Sequence, residues 1–134
     1  MDIHKAAGII IRDKKLLVER SKGKEFFISP GGSIEEGETP QQALIRELME
    51  EFQITVTEED LEKFNTFSAP AAGNESRQVI MDVFMVKNFQ GEPTPDNEVE
   101  EIAWITSNIP AGMKVGSIFE HNVIPALKEQ GLID

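Results

Sequence analysis

The sequence predicts an α+β fold in which a mixed β-sheet is sandwiched between α-helices. Three features point there: short apolar runs on both sides of one strongly signalled helix, a second amphipathic stretch near the last residue, and proline-glycine segments between the runs. Ala6 to Ile11 is broken by Arg12-Asp13-Lys14-Lys15 and resumed by Leu16-Leu17-Val18, which predicts a β-hairpin. Phe26-Phe27-Ile28 then runs into Ser29-Pro30-Gly31-Gly32, where proline and paired glycines predict a turn. Thr39 is a good N-cap, Pro40 suits the first helical position and Gln42 completes a capping box, so a helix is expected over Pro40 to Phe52. Its apolar stripe is Ala43, Leu44, Leu48 and Phe52. A strand at Ile54 to Val56, a helical turn at Glu58 to Lys63 and a long strand at Gln78 to Phe89 follow. In that strand Val79, Met81, Val83 and Met85 share one face, and Ile80, Phe84 and Val86 the other. Gln90 to Asn97 is a loop, Ile102 to Thr106 a strand around Trp104, and Ser117 to Gln130 a helix kinked at Pro125 and closed by Gly131.

The 134 residues fit one domain, residues 1–134, and 40% apolar content can fill a core. Thirteen basic against twenty-four acidic residues leave a net charge of −11, which argues against a groove for a nucleic-acid backbone, because such binding depends on Lys and Arg displacing counterions. Cysteine is absent, which excludes disulfides, thiolate metal sites and a cysteine nucleophile within this chain. No segment approaches the roughly 20 apolar residues of a membrane span, so the expectation is a cytoplasmic protein without membrane or nucleic-acid polymer partners, as a monomer or homodimer. His4 and His121 are isolated, which favours surface or half-buried positions; Trp104, Phe26, Phe27, Phe64 and Phe67 are expected in the core first and as base-stacking aromatics second.

Chemistry concentrates on the first helix. Glu47, Glu50 and Glu51 stand at i, i+3 and i+4, so three carboxylates share one helical face and repel one another. A hard divalent cation among them would relieve the repulsion; a solvated acidic face is the plainer alternative. Pro30-Gly31-Gly32 shortly before the helix supplies a backbone segment that can approach a ligand closely, which favours the cation.

The pattern Gly32, five residues, Glu38, seven residues, then Arg46-Glu47-Leu48-x-Glu50-Glu51-x-Gln53-Ile54 resembles the signature box of the Nudix hydrolases. The box normally carries glycine where this chain has Gln53, at the helix end where a left-handed residue often closes the last turn. The resemblance implies the Nudix fold and Mg²⁺ or Mn²⁺ held by Glu47, Glu50, Glu51 and the Gly31 carbonyl, with Arg46 and Glu38 paired to fix the helix face. It also implies one more carboxylate from an acidic loop: Glu98, six residues before Trp104, with Glu100 or Glu101 as replacements. Arg20, at the end of the second hairpin strand, would contact a substrate phosphate, against the plainer reading of a solvated strand end. The implied reaction is attack by water on a phosphorus of a nucleoside diphosphate linked to another group, with one Glu of the cluster or Glu98 taking the proton.

The short chain resembles the MutT-type hydrolases, which implies a canonical or oxidised nucleoside triphosphate as substrate. Pro70, with Gly73-Asn74-Glu75 nearby, resembles a marker of ADP-ribose hydrolysing members, so an ADP-ribose or nucleotide-sugar pyrophosphatase is the alternative. Tyrosine is absent, and with it the marker of diadenosine polyphosphate hydrolases. A non-catalytic nucleotide-binding module on the same fold would have no need of the complete carboxylate set.

Overall fold

In the computed structural model, which describes residues 2–71 and 74–134 with the side chains of 74 and 75 excepted, two sheets and a short two-stranded ladder lie between two helical layers. The strands are β1 (Ile3–Ile9), β2 (Ile11–Arg12), β3 (Lys15–Ser21), β4 (Phe26–Phe27), β5 (Gly31–Ser33), β6 (Leu61–Ala71), β7 (Asn74–Val86), β8 (Val99–Ile105) and β9 (Lys114–Val115). The helices are α1 (Pro40–Phe52) and α2 (Ile124–Glu129). One sheet has the order β5-β1-β7-β6 and is mixed, since β1 runs parallel to β7 and antiparallel to β5. The other has the order β2-β3-β8, and β4 pairs in parallel with β9.

The expected hairpin is present with a shorter first arm. Ala6 to Ile11 does not form one strand: the chain changes sheets at Ile10, so that only β2 pairs with β3. Asp13 and Lys14 turn it with positive φ of 53° and 61°, the handedness that matches strand twist in a two-residue hairpin loop. Pro30-Gly31-Gly32 is likewise not a turn, because Gly31–Ser33 lies antiparallel to β1. Gly31 adopts a φ of 141°, and a Cβ there would stand 2.1 Å from the Ala6 carbonyl, so only glycine allows this pairing.

Helix α1 occupies the expected residues, capped by Thr39 and Gln42 in reciprocal hydrogen bonds. Ala43, Leu44, Leu48 and Phe52 are fully buried against Ala6, Ile10, Leu17, Phe84 and Val86. The opposite faces of the same strands, through Ala7, Ile9, Leu16, Val18 and Val83, form a second core with α2. The alternation along β7 therefore separates the two cores, with Val83 in one and Phe84 and Val86 in the other.

Several boundaries differ from expectation. Ile54 to Val56 is a single bridge from Thr55 to Gln90, held by the burial of Ile54 and Val56. The turn after it covers only Glu58–Asp60, and β6 then extends through residues whose mixed polarity conceals a strand, because its side chains gain cover mainly on one side. Strand β7 begins and ends earlier than Gln78 to Phe89, β8 begins earlier than Ile102, and β4 and β9 are too short to leave a periodic signal. Near the last residues, the kink expected at Pro125 takes the form of a π-helical turn at Phe119–Val123 directly before α2. Proline offers no N–H, and the backbone widens upstream of it so that the Ile124 N–H reaches the Phe119 carbonyl. Gly131, at a φ of 74°, closes the end with Gly131 N–H to Lys128 and Leu132 N–H to Leu127 bonds. His4 and His121 are exposed, and Phe64, Phe67 and Trp104 are half-buried against the cores. Gly73 and the side chains of Asn74 and Glu75 lie outside the described residues. No helix among the described residues is long and apolar enough to cross a membrane.

Gln53 leaves α1 in the left-handed region, at φ 59° and ψ 32°. Its side-chain Nε2 donates to Asp96 Oδ2 at 3.1 Å, and the Thr94 and Asp96 N–H groups meet the Phe52 and Glu51 carbonyls at 2.9 Å each. The left-handed strain of a non-glycine residue, about 1 kcal/mol, thus coexists with an exposed hydrogen bond worth about 0.5–1.5 kcal/mol. Gln53→Gly and Gln53→Ala both lose that bond, but only alanine keeps the strain. Chemical denaturation should find Gln53→Ala less stable than Gln53→Gly by about 1 kcal/mol.

Candidate active site

Four elements deliver the site: α1, the loop before it that carries Glu38, β5 and β3. Register on α1 places Arg46 and Glu47 at the level of β5, and Glu50 and Glu51 in the last turn. That turn carries no basic residue, so its acids stand at the partially negative end of the helix dipole.

Arg46 is the centre of the polar network. Its Nε and Nη2 donate to Glu38 Oε2 and Oε1 at 2.8 and 3.0 Å, a bidentate pair. Nη1 reaches Glu47 Oε1 at 3.0 Å and Glu50 Oε2 at 3.5 Å, while Nη2 also donates to the Ser33 carbonyl at 3.1 Å. The guanidinium therefore links the loop before α1, strand β5 and two of the helix acids. Hydrogen bonds from Arg46 and from the Glu35 N–H hold the Glu38 carboxyl down to about 2. Glu38 in turn raises the Arg46 value, so both remain charged across the physiological range.

Glu51 turns the other way, toward the sheet. Burial comes first in pushing its carboxyl up to about 9, followed by the nearness of Glu19 and then of Glu47. Glu19 is the residue that the sequence reading missed. It lies on β3 and is 1% exposed, with its own value raised by burial. Its only sequence signal was positional: two residues beyond Leu17, it continues the face of β3 that packs toward α1. Gly32 completes the surround, since a Cβ there would stand 2.6 Å from the Glu47 carboxyl. Glycine there lets the Glu47 carboxyl lie against the β5 backbone, a place that a side chain at position 32 would take from it.

The remaining expected residues are placed differently. Glu98 is exposed, with its carbonyl accepting from the Lys22 N–H at 2.9 Å. Its side chain makes no hydrogen bond or ion pair with the helix acids among the described residues, although Asp96, two residues earlier, is bonded to the end of α1. Arg20 does not stand with the carboxylates. Its neighbour Glu19 faces α1, and Arg20 faces away, with Nε and Nη2 at 3.1 and 3.0 Å from Glu101 and Nη1 at 2.9 Å from Glu100. Those two acids, considered as replacements for Glu98, are occupied in fastening β3 to β8.

A cavity of about 810 Å³ reaches the cluster through Ser21, while the helix acids and Glu19 themselves do not line it. Ser21, whose hydroxyl donates to Glu19 Oε1 at 3.3 Å, lies on its wall with Lys5, Lys24, Phe26, Pro70 and Ser117. Phe26, expected in the core, is instead 48% exposed there because its short strand lies at the edge of the fold, and Lys114 Nζ stands 5.8 Å over its ring. A second cavity of about 530 Å³, between β6 and α2, touches none of the acids.

The donor set suits a hard divalent cation, being made only of oxygen. The buried Glu19 Oε2 has no hydrogen-bond partner, and the glycine backbone lies against the Glu47 carboxyl. Among the described residues no three acidic side chains already surround one point. Glu47 is drawn toward Arg46 and Glu51 toward Glu19, so gathering them round a cation is a matter of side-chain rotation.

Comparison with known proteins gives the family. Residues 2–116 match the NUDIX domain. The chain is 34% identical over 108 residues to an 8-oxo-dGTP diphosphatase of Haemophilus influenzae, covering 77% of this chain and 75% of that one. It is 31% identical over 104 residues to an ADP-ribose pyrophosphatase of Methanocaldococcus jannaschii, covering 75% and 60%. A solved structure from work on MutT of Aliivibrio salmonicida and Vibrio cholerae superposes with a TM-score of 0.75 at 28% identity, covering 97% of this chain and 99% of that one. An acidic helix fastened by Arg46 to Glu38, a glycine strand passing its carboxylates and a family match over most of the chain lead to one conclusion: this protein belongs to the Nudix family of hydrolases, enzymes that act on diphosphate bonds.

Proposed function

We propose that this enzyme is a MutT-like, metal-dependent pyrophosphohydrolase that converts a nucleoside triphosphate, canonical or oxidised, to its monophosphate and pyrophosphate. The observation that carries the reading is the cavity walled by half-exposed Phe26, Lys5 and Lys24, whose wall residue Ser21 bonds Glu19 of the acidic cluster, so that a base and ribose in the cavity would have their phosphates directed toward the carboxylates. Lys5 and Lys24 on the wall supply positive charge that an overall acidic chain must place locally. The 8-oxo-dGTP diphosphatase relative supports the triphosphate substrate. A nucleotide substrate is in keeping with a cytoplasmic enzyme, and the proposal includes a monomer or homodimer.

Glu47, Glu50, Glu51 and the Gly31 carbonyl, with Glu98 contributed by its loop, would hold Mg²⁺ or Mn²⁺. When bound, such an ion lowers the pKa of water and neutralises charge developing on the phosphate oxygens. Arg46 keeps Glu47 and Glu50 in register with Glu38 and so positions the helix face. A carboxylate of the cluster, or Glu98, takes the proton of the attacking water. Arg20 is not included as a phosphate contact, because its guanidinium is engaged by Glu100 and Glu101.

A second reading, hydrolysis of ADP-ribose or a nucleotide sugar, is favoured by Pro70 on the cavity wall and by the ADP-ribose pyrophosphatase relative. A nucleotide screen with Mg²⁺ separates the two. Pyrophosphate released from triphosphates is the expected result, and AMP with ribose phosphate released from ADP-ribose at a higher kcat/KM would establish the alternative.

Glu50→Gln and Glu51→Gln should each lower kcat by two orders of magnitude or more at saturating Mg²⁺, given how much rate metal polarisation supplies, while the fold is kept. Turnover near that of the wild type would remove these residues from the metal site.

Stability without metal should depend on pH in a direction set by Glu51. Its folded value lies above the unfolded one, so the unfolded chain releases its proton first, and stability falls as pH rises from the ordinary carboxylate range to about 9. Thermal melting of the metal-free protein should show a lower midpoint at pH 8 than at pH 6. Millimolar Mg²⁺ should recover the difference by binding only the folded state, and Glu51→Gln should flatten the slope, which separates this effect from general charge repulsion.

A further inference from the structure

We infer that Glu19, a strand residue outside the signature segment, is a further carboxylate ligand of the site's divalent cation, so that β3 as well as α1 holds the ion. The inference rests on the metal-dependent reading above and deepens it.

The carboxyl of Glu19 is held in place by a rigid frame. Its backbone N–H and carbonyl exchange hydrogen bonds with Ile28 at 2.8 and 2.7 Å, on the segment that leads directly to Gly31. Ser21 satisfies Oε1. Oε2 is shut off from water and no backbone N–H or hydroxyl donates to it; its carboxyl lies within hydrogen-bonding reach of the Glu51 carboxyl, and Glu47 and Lys5 act on it through space. An oxygen surrounded by other acids needs a proton or a cation between them. A residue that merely closed the core would be apolar here, as Leu17 is two residues earlier on the same face of the strand. The unpartnered oxygen and the neighbouring acids together make an oxygen-only donor set spanning two elements, which suits Mg²⁺ or Mn²⁺.

The test is calorimetric titration of metal-free protein with Mn²⁺ alone, on the wild type, Glu19→Gln and Glu51→Gln, with no substrate and no activity reading. Glu19→Gln keeps the shape and removes a buried charge, so its fold, followed by circular dichroism, should be unchanged and its metal-free melting midpoint equal or higher. Its Mn²⁺ affinity should fall at least tenfold, or one Mn²⁺ per chain should be lost. Glu19→Leu, which restores the apolar strand pattern, gives the same readout if the Gln variant folds poorly. Wild-type affinity and stoichiometry in the Glu19 variants, with binding lost in Glu51→Gln, would overturn this inference and leave the proposed function standing. Absence of Mn²⁺ binding by the wild type would overturn both.

Discussion

Repulsion among Glu19, Glu47 and Glu51, which meet where β3, β5 and α1 converge, is the constraint around which the rest of the structure is arranged. Acids cannot remain crowded in a space largely closed to water unless something else fixes their positions. On one side α1 is anchored by Leu44, Leu48 and Phe52, each fully buried and each contributing about 1.5–3 kcal/mol. On the other side Arg46 neutralises part of the cluster and ties it to Glu38 and Ser33. Apolar burial therefore sets where the helix sits, and the guanidinium sets how its acidic face is presented.

The same constraint explains the backbone near the acids. Only glycine at position 31 can lie against β1 with its φ of 141°, and glycine at position 32 lets the Glu47 carboxyl rest against the backbone. This is a close approach of main chain to charged side chains, and a main-chain carbonyl in such a place is an additional hard donor. At the far end of α1, the N–H groups of Thr94 and Asp96 satisfy the last carbonyls, and Gln53 adds a side-chain bond to Asp96. The loop that leads to Glu98 is thereby fastened to the helix that carries the other acids. Gln53 can be tolerated where the signature has glycine because its side chain gains a partner that glycine lacks.

Division of labour between the two faces of the strands gives the site its shape. The α1-facing positions of β3, Leu17 and Glu19, bring a carboxylate to the helix, while the opposite positions, Leu16 and Val18, belong to the core shared with α2. Ser21 then stands at the boundary, touching Glu19 and lining the cavity. An acidic centre and a partly apolar cavity with a lysine rim are adjacent because one strand serves both.

By itself the sequence determined what depends on neighbours along the chain. The cap at Thr39, the limits of α1, its buried stripe and the shared face of Glu47, Glu50 and Glu51 all follow from contacts within a few residues, which spacing and residue type reveal directly. Tertiary structure alone decided what depends on residues far apart. The division of Ala6 to Ile11 between two sheets, the strand character of Gly31–Ser33 and the existence of β6 arise from pairing with distant strands, which leaves no periodic trace in short or half-exposed segments. The site divides in the same way. Arg46 and Glu38 could be matched through the signature, but Arg20 is turned away by Glu100 and Glu101, and Glu19 is drawn in, because a strand's facing and its partners across the sheet are set only when the whole chain has folded.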